Sequence, residues 1–370
     1  MRHNSLEELY QCIRYNKSTF VLEDTLPRKI QTLVGGLISL VFLGLLLYQI
    51  DLTRTWDALL RARYWLLAPA IAVFFVGVWF RAVRWRYLLR PLKDIATARL
   101  FPVVVVGYTV NDLLPVRVGE IVRAYMVGDK EHLSKLAIVG TIAAERLLDG
   151  LTLLFFAAIA TIFLPIEEPL KSLLTGIAGL YIAALAIGFF LCSSASRTEA
   201  ILGLALRVLP SSIRLRVQEA STLVLHGLSV MSSPRWFGAA ALFSMLSWIT
   251  EGTFFYLVGL AFDIQQPLTV YILAMAAANL ATSLPSSQAG IGPFEYFCAL
   301  VFIQFGTPPD VAAAYTIVVH AALIVPIVLP GLIYLWTKQI GWRDITAIST
   351  SPSPAQVGVT ITENNNQENM

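Results

Sequence analysis

VAAAYTIVVHAALIVPIVLPGLIYLWT, residues 311–337, contains no Asp, Glu, Lys or Arg. As a helix rising 1.5 Å per residue it is long enough to cross a hydrocarbon core of ~30 Å. The stretches 30–50 and 172–196 are equally free of charge. Only 14% of the 370 residues are charged and 56% are hydrophobic, whereas soluble chains carry about 25% charged residues. The fold class read from this pattern is an all-α integral membrane protein.

Working outward, spanning helices are predicted near 31–50, 64–84, 137–164, 172–192, 236–262 and 311–336. Two apolar segments, 100–128 and 267–305, are broken by Pro and Gly and are predicted as re-entrant helix hairpins. The architecture expected is therefore about six spanning helices plus two re-entrant hairpins. Residues 1–29 are polar and form an N-terminal segment without a cleavable signal pattern. The polytopic membrane domain covers 30–340. Residues 341–370, which include SPSPAQ and ENNNQEN, are predicted to be a disordered tail. Residues 197–231 alternate Arg with apolar residues and read as an amphipathic cytoplasmic segment. Lys and Arg cluster in the N-terminal arm, after the second span, in 197–216 and at the C-terminus. This bias places both termini in the cytoplasm of a multi-pass protein of the cell (inner) membrane, with the 51–63 loop as its weak point.

The two broken segments resemble each other. The first runs Asn111, Leu114-Pro115, Gly119-Glu120, and the second Asn279, Leu284-Pro285, Gly290, Gly292, Glu295. Their prolines differ by 285 − 115 = 170. The same offset carries the span at 64–84 to 234–254 and the span at 137–164 to 307–334. The halves 64–164 and 236–336 are thus predicted to be repeats, inverted under the topology above, an arrangement associated with transporters.

Ionisable groups at bilayer depth cost about 2.5–3.5 kcal/mol each and persist where they pair or serve a polar pathway. They are Arg81, Arg84, Arg117, Glu120, Arg123, Glu145, Arg146, Asp149, Glu251 and Glu295. With Asn111 they form the candidate substrate-binding set, and Pro115, Gly119, Pro285, Gly290 and Gly292 are the helix-breaking positions. Half-helix N-termini and arginines both suit a phosphate, so the five arginines are a candidate headgroup cluster. The competing reading is that the same residues are mutual ion pairs that hold the bundle together. Arg81 and Glu251 are related by the offset, since 251 − 81 = 170. Arg81 either meets Glu251 or snorkels to the headgroups, and Glu251 is either ion-paired or proton-coupled. His320 reads as a hydrogen-bonded core histidine. Trp65, Trp79, Trp85, Trp236 and Trp336 read as interfacial anchors.

Several function classes are excluded. A net charge of +3 without a basic, aromatic-interleaved block does not suit nucleic acid. Cys12, Cys192 and Cys298 are scattered thiols without metal-ligand spacing, and no metal or cofactor is expected. No P-loop, HExxH or GxSxG motif occurs, and Ser286 and Ser287 lack His or Asp partners at motif spacing. Autonomous catalysis is therefore not expected.

GYTVNDLLPVRVGEIVRAYMV at 107–127, AAERLLDGLTLL at 143–154, LPSSQAGIGPFE at 284–295 and RAVRW at 81–85 resemble the lysylphosphatidylglycerol synthase transmembrane (flippase-like) domain. That family includes membrane proteins similar to the membrane part of archaeal dolichyl-phosphate glycosylation proteins. The resemblance spans about 30–340. It implies translocation of an anionic phospholipid or a polyprenyl-phosphate-linked lipid, bound through its phosphate headgroup. It also implies the motif residues Arg84, Asn111, Pro115, Gly119, Glu120, Arg123, Glu145, Arg146, Asp149, Pro285, Gly290, Gly292 and Glu295. Full-length synthases add a soluble aminoacyl-transfer domain. None is expected here, and SSQAG departs from the usual Pro- or Gly-rich run. The second function hypothesis is a membrane subunit that presents a lipid to a separate glycosyl- or aminoacyl-transferase. Either such a transferase or a homo-oligomer is the protein partner expected.

Overall fold

The structure is a computed structural model that describes residues 28–114, 117–164, 233–284 and 286–338, with isolated positions between 172 and 230. The expectations for residues 1–27, the amphipathic segment at 197–231 and the 341–370 tail lie outside the described residues, as do Pro115 and Pro285. So does most of the span predicted at 172–192.

Every regular element among the described residues is helical. We label them α1 (Arg28–Tyr48), α2 (Leu52–Arg61), α3 (Leu67–Leu89), α4 (Thr97–Leu113), α5 (Val118–Glu131), α6 (Lys135–Phe163), α7 (Pro234–Ala261), α8 (Leu268–Ala281), α9 (Pro293–Gln304) and α10 (Pro309–Thr337). A short 3₁₀ turn, Tyr64–Leu66, leads into α3. Continuous helices over Tyr64–Leu89, Lys135–Phe163, Pro234–Ala261 and Pro309–Thr337 are long and apolar enough to cross a membrane. The chain is a multi-pass membrane protein.

Local chemistry sets the boundaries. Asp51 caps α2 by accepting the Thr53 N–H at 2.8 Å, and Ser134 caps α6 by accepting from Ala137. Pro occupies the first turn of α7, α9 and α10, where its missing N–H costs nothing. The bend between α1 and α2 is 87°. On α2, Leu52, Trp56 and Leu60 form an exposed apolar stripe at four-residue spacing, while Thr55 is buried. A perpendicular amphipathic helix of this kind suits the membrane interface.

The span expected at 64–84 is longer than predicted. The helix carries Arg84 and Arg86 within it and stops at Leu89, ahead of Arg90-Pro91. The extra turn overturns one expectation. Trp85 is not an interfacial anchor: it is fully buried, and its indole Nε1–H donates to Thr141 Oγ1 at 3.2 Å on α6. Trp65 and Trp336 are exposed on the outer surface, as an anchor requires.

Both broken segments are indeed pairs of short helices packed on each other, α4 on α5 and α8 on α9. The order long helix, helix pair, long helix occurs twice, as α3-α4-α5-α6 and α7-α8-α9-α10. Helices α3 and α7 pack along their length in antiparallel fashion. Phe74 meets Phe254, Arg81 meets Glu251, Arg84 meets Ser244 and Tyr87 meets Trp236, so one helix advances as the other retreats. Two further contacts are reciprocal: α4 packs on α10, and α8 packs on α6. The apolar core lies between these elements, with Trp85, Phe254, Phe255, Tyr271 and Tyr315 buried in it.

Candidate functional site

The first break is built from small residues. Asn111 Oδ1 near the end of α4 accepts the Gly119 N–H at 2.8 Å, satisfying a donor that the start of α5 leaves free. A Cβ on Gly119 would lie 1.9 Å from the Gly107 carbonyl oxygen, so only glycine lets the two helices close. Arg117 precedes α5 in the left-handed region, at φ 49°, a conformation uncommon for a residue with a side chain.

The second break is closed by a side chain that reaches back to the backbone. Glu295 Oε2 accepts the Gly292 N–H at 2.7 Å, and Gly292 sits at φ 100° with Pro293 following. A Cβ on Gly292 would strike the Ser39 carbonyl at 2.6 Å, so this turn also seats α1. Ser39 Oγ donates to the Ile291 carbonyl at 2.7 Å and bonds Ser287.

Between the two breaks lies a cavity of about 820 Å³. Of the residues predicted from sequence, Arg81, Asn111, Arg117, Glu120, Arg146, Asp149, Glu251 and Gly290 line it. Leu323, Ile324, Ile327 and Phe74 give it an apolar side.

Arg84, Arg123 and Glu145 are not on that wall. They form a knot sealed behind it. Arg123 Nη2 bonds Glu145 Oε2 at 2.7 Å, and Arg84 Nη2 lies 3.0 Å from Glu145 Oε1. Arg84 also grips Asp149 with both terminal nitrogens and donates to Ser244. The Arg123 guanidinium stands 4.0 Å from the Trp85 ring centroid. Arg84 and Arg123 are 0% and 2% exposed, which leaves no face for a ligand. These charges meet the cost of burial by mutual pairing. Glu295 likewise serves the backbone and His320 Nδ1, not the cavity.

Arg146 and Asp149 join the knot to the cavity. Arg146 Nε lies 2.9 Å from Glu120, and Arg146 Nη1 lies 3.4 Å from Asp149. Asp149 also accepts from Trp248 Nε1 at 3.0 Å. Arg81 does not snorkel outward. It pairs with Glu251, which in turn accepts from Asn279 Nδ2 at 2.8 Å, and the guanidinium lies 5.0 Å from the Trp248 ring. Arg117 differs from the others. Its Nη2 donates to the Thr282 carbonyl across the cavity mouth at 3.2 Å, and no carboxylate among the described residues pairs with it. One cation is thus open to an incoming anion.

The cavity wall also holds residues that the sequence reading did not select: Tyr108, Asp112, Trp248, Asn279 and His320. Asp112 and Asn279 sit in the same broken segments as the motif residues, which is the signal that points to them. His320 is hydrogen-bonded and mostly buried, as a core histidine is, but it also faces the cavity. No group of three or more His, Cys, Asp or Glu suited to a metal ion occurs among the described residues.

Comparison with known proteins places the chain in context. The sequence model described as "Lysylphosphatidylglycerol synthase TM region" matches residues 32–331. A UPF0104 membrane protein of Methanothermobacter thermautotrophicus is 25% identical over 310 residues, covering 76% of this chain and 88% of the relative. A second UPF0104 membrane protein, from Methanocaldococcus jannaschii, is 26% identical over 242 residues, with 62% and 94% covered. The glycosyltransferase AglD of Haloferax volcanii is 25% identical over 328 residues; 80% of this chain aligns, but only 52% of AglD.

Proposed function

This chain belongs to the lysylphosphatidylglycerol synthase TM region family, and from that premise we propose that it is a flippase-like carrier of an anionic phospholipid or polyprenyl-phosphate-linked lipid. The observation that carries this reading is the cavity between two broken helix pairs, lined by Arg117, which pairs with no carboxylate among the described residues, and by an apolar side. A phosphate meets Arg117 there, and acyl or prenyl chains lie along Leu323, Ile324 and Ile327. We read the two halves as inverted repeats, each with a re-entrant hairpin, in a cell membrane protein with both termini cytoplasmic. The antiparallel pairing of α3 with α7 and the reciprocal packing of α4 on α10 and α8 on α6 support that reading.

The test is co-purification from native membranes in mild detergent, followed by mass spectrometry of bound lipid. One enriched anionic lipid class is expected, and its loss on Arg117→Gln. The same lipid retained by that variant rejects the site.

The likeness to AglD favours a second reading. Residues 30–340 would then present a lipid-linked substrate to a separate transferase. A transferase that co-purifies in fixed proportion, without lipid movement in vesicles holding the purified chain alone, supports this reading over the first.

A further inference from the structure

The acids of the cavity and its rim are nearly all matched. Glu120 pairs with Arg146 at 2.9 Å and Glu145 with Arg123 at 2.7 Å. Asp149 holds Arg84 and Trp248, and Glu251 holds Arg81 and Asn279. Glu295 caps Gly292 and meets His320. Asp112, in the last turn of α4, lines the cavity and makes no hydrogen bond or ion pair with any described residue. A partnerless carboxylate at such a depth is unfavourable while ionised.

The groups around it do not neutralise it. On α10, His320 faces it as one half of a closed pair. His320 Nε2 lies 3.2 Å from the Ala289 carbonyl, which only accepts, so Nε2 carries a hydrogen. Nδ1 meets the Glu295 carboxyl, so a proton is held between them and the pair is neutral overall. On α3, Arg81 is engaged by Glu251, and on α5, Glu120 is engaged by Arg146. The Gln288–Gly290 turn carries no charge. Arg117, across the break from Asp112, is the remaining cation, and it is the group assigned above to the lipid phosphate.

We propose that anionic-lipid binding in this cavity is linked to protonation of Asp112, so that lipid and proton occupy the site together. The proposal deepens the carrier reading and rests on it. An ionised Asp112 and a phosphate at Arg117 place like charges on one wall, and each disfavours the other. Uptake of one proton converts the carboxylate to a neutral acid and removes the repulsion. By reciprocity, lipid binding favours the proton as much as the proton favours lipid. A metal cation does not fit this role, because it requires several oxygen ligands and no group of three or more His, Cys, Asp or Glu suited to one occurs among the described residues.

The experiment uses the full chain in detergent micelles and a fluorescent phosphatidylglycerol. Affinity is measured in sodium-free and sodium-containing buffer from about pH 5.5 to about pH 8.5. Wild-type affinity is expected to fall ~10-fold as pH rises, an ordinary coupling strength. Lipid addition in weak buffer should also draw protons from solution, read with a pH indicator. Asp112→Asn should bind without pH dependence and without proton uptake. Should Asp112→Asn fail to fold, wild-type proton uptake, with the infrared carbonyl band of a protonated acid appearing on lipid addition, decides the matter. Uptake that persists in Asp112→Asn overturns the assignment. So does pH-independent lipid binding by the wild type, or dependence on sodium in place of pH; both leave the carrier reading intact. Absence of phosphatidylglycerol binding at every pH, with no lipid co-purifying, overturns the carrier reading together with this one.

Discussion

Arg81 and Glu251, 170 residues apart in sequence, form an ion pair across the antiparallel interface of α3 and α7. The separation equals the offset between the prolines of the two broken segments, 285 − 115. Equivalent positions of two antiparallel helices meet only where a two-fold axis between them passes. This pair therefore marks the place where the two halves of the chain face each other.

Removing one partner strands the other. Arg81→Gln or Glu251→Gln should each destabilise the folded protein by about 3–5 kcal/mol, because an uncompensated charge remains buried. The charge-swapped double variant, Arg81→Glu with Glu251→Arg, should recover part of that loss. Thermal unfolding in detergent measures all three. A Glu251→Gln variant that melts like wild type would falsify the structural role of the pair.

Arg117 and Arg123 should separate cleanly. Arg117 faces the cavity, and Arg117→Gln should weaken anionic-lipid binding about tenfold, the loss of one charge-assisted hydrogen bond, with little change in melting temperature. Arg123 is sealed against Glu145 and Trp85. Arg123→Gln should lower stability first and binding only through it. Equal effects of the two variants on both readouts would contradict the division between wall and knot.

Gly119 should tolerate no side chain. Gly119→Ala pushes a Cβ into the Gly107 carbonyl, a backbone atom that cannot rotate away, and the α4–α5 pair should open. Yield of monodisperse protein should collapse. Gly44→Ala, where a Cβ meets nothing within 4 Å, is the control and should express normally.

The orientation is testable through the chain's own thiol. With Cys192 and Cys298 replaced by Ser, Cys12 should react with a membrane-impermeant maleimide only after the membrane is permeabilised. Cysteine introduced at Thr346 should behave likewise. Labelling of either in intact cells would reverse the proposed topology.

Much of the fold was legible because two of its signals are local. Charge-free runs mark spans, and Asn, Pro and Gly mark the breaks; both survive in a single sequence. The Gly292–Glu295 spacing was local too, yet Glu295 was read as a charge at depth when it accepts the Gly292 N–H at the start of α9. What could not be read was which arginine is spoken for. The partners of Arg84 lie 160 residues away at Ser244 and 65 away at Asp149, on other helices. Spacing along one helix says nothing about such pairs. Trp85 failed for the same reason: its neighbour in sequence is a basic run, but its neighbour in space is Thr141.

The knot of Arg84, Arg123 and Glu145 has a consequence for how the protein senses its surroundings. Mobile ions screen only charges they can approach, over about 8 Å at physiological ionic strength. The knot is out of their reach, whereas Arg117 stands at a water-accessible wall. Added salt should therefore dim the attraction for an anionic headgroup while leaving the helix packing indifferent. Arg84 and Arg123 are thus insulated from the bath, whereas Arg117 is wired to it.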